Sequence, residues 1–136
     1  MRRDPIAFLV QHLRGRLKLP PGAVTGDLVG RNPGDVTVYL EHSGGFRIVR
    51  NRADRADVEY SAIGPDREKA AGLAYEVREA LLEELPGAEL DGVLVLDVAE
   101  VDSPKYLPDS TSREHCYVAE VAVSYIEVAS QRIPNK

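Results

Sequence analysis

Hydrophobic positions along the chain change period several times, and each change marks an element. Ile6, Leu9, Val10, Leu13 and Leu17 recur at helical spacing behind Asp4, a good N-cap, and Pro5, which fits the first helical position. Lys18-Leu19-Pro20-Pro21-Gly22 stops this helix, since neither proline continues it and each pushes the residue before it toward extended geometry. Val24 to Val29 predicts a short strand and Arg31-Asn32-Pro33-Gly34 a turn. Val36, Val38 and Leu40 then alternate with Thr37, Tyr39 and Glu41, the period of a half-buried strand. Gly44-Gly45 predicts the turn of a hairpin, with Phe46 and Ile48 continuing the alternation beyond it.

The second half repeats the logic. Val58, Tyr60 and Ala62 predict one face of a strand, with Glu59 and Ser61 on the other. Gly64-Pro65-Asp66 makes a tight joint to a helix whose first turn carries Asp66 and Glu68, favourable to its positive dipole end. Ala70, Leu73, Ala74, Val77, Leu81 and Leu85 form its buried stripe, and Pro86-Gly87 ends it. Leu94, Leu96 and Val98 alternate with Val93, Val95 and Asp97, a strand whose first half reads as buried on both faces. Asp102 to Glu114, with two prolines, reads as a long polar loop, a kind that usually has a task or stays disordered. Tyr117, Ala119, Val121, Val123 and Tyr125 alternate with Val118, Glu120, Ala122, Ser124 and Ile126 in a long last strand.

These elements describe an α+β fold: a mostly antiparallel β-sheet packed against an N-terminal and a central α-helix, without repeats or a βαβ series. Apolar residues at Val118, Ala122, Ile126 and Val128, and at Val93 and Val95, exceed what two helices can cover, so a neighbouring subunit is expected on part of the sheet. A length of 136 residues with 43% hydrophobic content fits a single domain over 1–136, ending in a short flexible tail at about 129–136.

Charge and chemistry narrow the function. A net charge of -5 opposes a module whose main work is gripping phosphates, while a mildly acidic wall suits a surface that DNA slides past. No apolar run approaches membrane-spanning length and none has the form of a secretory leader, so the chain is expected to be soluble and made in the cytoplasm, with no membrane partner. The single cysteine, Cys116, excludes an intrachain disulfide and a multi-thiolate zinc site, and its strand neighbours predict a partly buried small residue. His12, His42 and His115 lack ligand-type partners at helical spacing, and no phosphate-binding glycine loop or nucleophile elbow is present. Catalytic, cofactor and metal residues are therefore expected to be none. Asp97, Glu100, Asp102 and His115 would be the acids and base of a strand-end pocket if the chain were a small enzyme or ligand-binding domain. Arg47, Arg50, Arg52 and Arg55, interleaved with Asp54 and Asp57 and no stacking aromatics, read either as a solvated loop or as a docking surface for an acidic protein.

The run Phe46 to Leu85, in which an arginine-rich loop leads into an alternating strand and directly into a proline-started helix, resembles the tail terminator proteins of long, non-contractile-tailed (siphovirus-type) phages. The likeness extends from Asp4 to about Val128 and lies in the spacing of elements: Val36 to Val49, Ala56 to Leu85 and Ser103 to Tyr125 match best. It implies a structural, non-catalytic, ring-forming subunit, typically a hexamer of itself. The ring would sit on the tail tube protein, end tube polymerisation and dock to the head-tail connector or neck protein. Genomic DNA would pass through the lumen without specific binding. It implies a place in the virion at the neck end of the tail, after assembly in the host cytoplasm. Interface residues implied on this reading are Arg47, Arg50, Arg52 and Arg55, and in the late loop Lys105, Tyr106 and Arg113. A head-closure or tail-completion protein, binding the portal side instead, is the nearest alternative.

Overall fold

The structure, a computed structural model, describes residues 4–50 and 52–128; the tail expected at about 129–136 lies outside the described residues. Helix α1 (Pro5–Arg16) starts where the Asp4 carboxylate accepts the Ile6 N–H at 3.1 Å. It stops at Leu17, which turns extended while its N–H donates to the Leu13 carbonyl at 2.8 Å. After a single 3₁₀ turn comes strand β1 (Val24–Thr25), then β2 (Thr37–Val49), β3 (Ala53–Gly64), α2 (Arg67–Glu79), β4 (Glu89–Leu90), β5 (Val93–Tyr106) and β6 (His115–Glu127). Helix α2 is capped by Asp66, whose carboxylate accepts the Lys69 N–H at 2.8 Å, and continues into a wider π turn over Ala80–Glu84. The Ala80 carbonyl meets Nε2 of His12 at 3.1 Å, and because a carbonyl only accepts, His12 carries that proton and joins the two helices.

The strands form one six-stranded sheet in the order β1-β2-β3-β6-β5-β4, antiparallel except for the β1/β2 pair. The expected α+β class is what the structure has. Period-two alternation sorts the sheet into two faces. Val38, Leu40, Val58, Tyr60, Val95, Val98, Val121 and Val123 are buried with Phe8, Leu9 and Leu13 of α1 and Val77, Leu81 and Leu85 of α2 and its π turn in one core. Each large side chain buried there is worth about 1.5–3 kcal/mol. Phe8, absent from the predicted α1 stripe, packs edge-on against Tyr125 with ring centres 5.2 Å apart.

Four expectations need correction. The predicted strand Val24 to Val29 is only two residues long, because Asp27 folds back in a polar turn on Thr25, its N–H donating to the Thr25 hydroxyl at 2.9 Å. Gly44-Gly45 is not a hairpin turn: both lie inside β2, at a shift of register between His42 and Gly44. At Gly45 φ is +132° and a Cβ would stand 2.0 Å from the Arg55 carbonyl oxygen, so glycine is required by a β-bulge that brings two backbones together. The turn comes at Arg50–Arg52 instead, closed by the Arg52 N–H on the Val49 carbonyl at 3.0 Å. The late loop is shorter than predicted, because β5 runs through Asp102, Ser103, Pro104 and Lys105 to Tyr106. Val93 and Val95 belong to the core rather than the open face, while Leu94 and Leu96 point away from the helices or outward.

At the end of the sheet away from the Arg50–Arg52 turn, an ion pair fastens two loops that are 83 residues apart in sequence. The Glu114 carboxylate accepts from Arg31 Nη1 at 2.9 Å and Nη2 at 2.7 Å, and from the Gly34 N–H at 2.8 Å. Arg31 also donates to the Thr37 hydroxyl and the Asp35 carbonyl, so one guanidinium satisfies the turn before β2 and clamps it to the segment before β6.

Candidate interaction surface

The long β2/β3 hairpin forms an arm. β1 pairs only with Val38 and Tyr39, so from Leu40 onward β2 is an edge strand, and every residue from Glu41 to Arg50 is exposed. Its exposure is partly apolar: Phe46 is 59% exposed and Val49 49%. The arginines expected in an extended loop lie on this hairpin. Arg47 is in β2, opposite Asp54 in β3 with a loose 3.5 Å approach. Arg50 and Arg52 stand at the turn and make no ion pair among the described residues. Arg55, in β3, donates to Asp57 at 2.8 Å and lies 5.2 Å from the centre of the Phe46 ring. The four therefore divide: Arg55 is held on the sheet, Arg47 is partly held, and Arg50 and Arg52 stand at the tip without an ion pair among the described residues.

The opposite margin of the sheet is built from β5. β4 pairs only with Val93 and Leu94, and Val95 bonds to Gly87 and Ala88, so β5 from Leu96 onward is also an edge. Leu96 and Val101 are about half exposed there, beside the exposed Asp97 and Asp102. Both helices cover the other face, so among the described residues the face carrying Asp97, Asp102, Glu41, Glu59 and Glu120 has no helix over it. Along it, Glu41, Glu59, Glu120 and Asp102 are register partners across four adjacent strands. Like charges opposite one another cost sheet stability, and Lys105, 2.9 Å from Asp102, offsets only part of that cost.

The residues expected in the late loop do not share one loop. Lys105 and Tyr106 are in β5, and only Arg113 is in the loop, where φ is +63°. Tyr106 is packed: its hydroxyl meets His115 Nδ1 at 2.8 Å, its ring lies 5.3 Å from that of Tyr117, and the Arg67 guanidinium sits 4.1 Å above it. Arg67 also donates to the Tyr117 hydroxyl at 3.1 Å. This aromatic and cationic cluster was invisible in sequence, since its members come from α2, β5 and β6.

The strand-end acids do not converge into a pocket. Asp97 and Asp102 face the helix-free side, whereas Glu100 is held by Arg78 at 2.6 and 2.9 Å, a pairing that lowers its pKa. His115 pairs with Gly64 while Asp97 lies opposite Ser124, which places them about 30 Å apart along β6. Cys116 is buried, and burial raises its thiol pKa, the opposite of what a reactive thiolate needs. Among the described residues no three His, Cys, Asp or Glu side chains are grouped to hold a metal, and no helix is long and apolar enough to cross a membrane.

No protein-family model matches the sequence, and no curated protein matches it in sequence. The fold has a counterpart among solved structures: a chain from the virion of a native gene transfer agent particle superimposes with a TM-score of 0.69, covering 90% of this chain and 94% of that one at 15% identity. The chain is thus similar in fold, over nearly its whole length, to a component of a virion particle.

Proposed function

We propose that this chain is a structural, non-enzymatic protein of a phage-type virion, and specifically a tail terminator. In this reading it forms a ring, a hexamer, that caps the tail tube, ends its polymerisation and presents a docking surface to the head-tail connector. The observation that carries the reading is the near end-to-end fold likeness to a virion chain, with a TM-score of 0.69. The order of elements, from a capped N-terminal helix to a strand running directly into a central helix, supports the terminator among neck proteins. Two exposed, partly apolar sheet margins support assembly, because a subunit that contacts like copies through two different patches can close a ring. The arm arginines and the Lys105, Tyr106 and Arg113 region are its candidate contacts, the former better placed since Tyr106 is already engaged within the fold.

Ending polymerisation requires one ring face that fits the tube and another that offers the next tube subunit nothing. The test is to add the purified chain to tail-tube protein during tube growth and measure tube lengths by electron microscopy. Short tubes carrying a ring at one end are expected. Tubes of unchanged length, with the chain bound instead to a portal-side complex, would reassign it to head closure or tail completion.

A further inference from the structure

We infer that the basic arm of one copy seats on the acidic β5 margin of the next copy, and that this is the contact that closes the ring. The inference rests on the assembly reading above and names its two surfaces. Of the nine large hydrophobic residues exposed among the described residues, five lie on these two margins: Phe46, Ile48 and Val49 on the arm, Leu96 and Val101 on β5. Such residues beside arginines are the composition of contact centres, where aromatic and arginine side chains carry much of the binding energy.

Charge selects the occupant. The arm tip presents Arg50 and Arg52 without ion pairs among the described residues, with Arg47 only loosely held by Asp54. Among the described residues, the β5 margin presents Asp97 without an ion pair and Asp102 paired with the exposed Lys105, and Glu120 is the register neighbour of Asp102 in β6. Within one copy these complements do not pair among the described residues: β3 and β6 stand between β2 and β5, and Arg52, which leads into β3, is two strand spacings, about 10 Å, from β5. They can meet between copies. Opposite margins of one sheet form a heterologous contact, which repeats head to tail and closes when the rotation per copy divides a full turn.

The contact is made by side chains rather than by joining the two edges into a continuous ladder. β2 breaks register at Gly44 and again before Val49, and β5 breaks it three times on the way to Lys105. Irregular edges of this kind resist edge-to-edge pairing.

The experiment is a charge exchange read by light scattering. One variant carries Arg50→Glu and Arg52→Glu, the other Asp97→Lys and Asp102→Lys, and circular dichroism checks that each is folded. Alone, each is expected to raise the dissociation constant of the assembly about tenfold or more. Mixed in equal amounts they are expected to recover the wild-type mass, since acidic arms then meet basic margins and unaltered arms meet unaltered margins in alternation. Variants that assemble as the wild type does, or a mixture of folded variants that fails to recover, would overturn the assignment of these surfaces while leaving assembly itself standing. A wild-type chain that stays monomeric up to millimolar concentration would overturn the assembly reading and the contact with it.

Discussion

Replacing Glu114 by glutamine tests whether the two loops at one end of the sheet are held by an ion pair or merely lie together. Glutamine keeps the shape but cannot accept both guanidinium N–H groups and the Gly34 N–H, so donors 2.7 to 2.9 Å away lose their charged partner. Hydrogen bonding from Arg31 is the main force that holds the Glu114 carboxyl down, at about 2, with the Gly34 N–H adding to it and burial opposing it. A displacement from 4.5 to about 2 corresponds to ~3 kcal/mol of stability when the group is charged. The two side chains retain 14% and 13% exposure, and solvent at the loop rim brings the expected loss to about 1–3 kcal/mol. The folded-state pKa lies below the unfolded one, so this contribution is complete above about 4.5 and disappears as pH falls toward about 2. Urea unfolding followed by circular dichroism should therefore show the variant less stable than the wild type at neutral pH, with the gap closing through that acid window. A gap that persists unchanged at the acid end would mean that the loss comes from packing, and the electrostatic account of the clasp would be wrong.

Other substitutions probe the core, the bulge and the arm. The Tyr60 hydroxyl is buried with no hydrogen-bond partner among the described residues, so Tyr60→Phe should leave stability unchanged or raise it by about 1 kcal/mol in urea unfolding; a loss of that size would reveal a bond to the hydroxyl. Gly45→Ala forces a Cβ to within 2.0 Å of the Arg55 carbonyl at a φ of +132°, and thermal unfolding should register a loss of about 2–4 kcal/mol, whereas a neutral result would place the bulge elsewhere. Alanine at Arg47, Arg50, Arg52 and Arg55 should keep the monomer folded, at most about 1–2 kcal/mol weaker because Arg55 packs on Phe46, yet weaken tube capping; normal tube lengths with this variant would remove the arm from the contact.

What the sequence disclosed depended on how local the determining interaction is. The start of α1 was legible because Asp4 caps it locally, whereas α2 begins at Arg67, later than a proline-started helix would, with Asp66 as its cap rather than in its first turn. The core face of β6 was legible because Ala119, Val121, Val123 and Tyr125 alternate without interruption. Gly44-Gly45 was misread because the same two residues serve a turn or a bulge, and only the partner strand decides between them. Polar residues and a proline made Asp102 to Lys105 read as loop, yet an edge strand tolerates proline, and Pro104 is buried there. The arginines stand out in the sequence, but how each is held depends on Phe46 and Asp54 across the hairpin and on Asp57 two residues along β3. The Arg31–Glu114 clasp had no sequence signal, since nothing local relates residues 83 positions apart.

The central claim, that this chain is a ring-forming terminator of a virion tail, is tested most directly by its mass in solution, measured by light scattering across a range of concentrations, alone and with purified tail-tube protein. The account predicts a species close to six times 14.9 kDa, either free or formed on tube ends whose growth then stops. A chain that remains a monomer in both settings and leaves tube growth unaffected would contradict it.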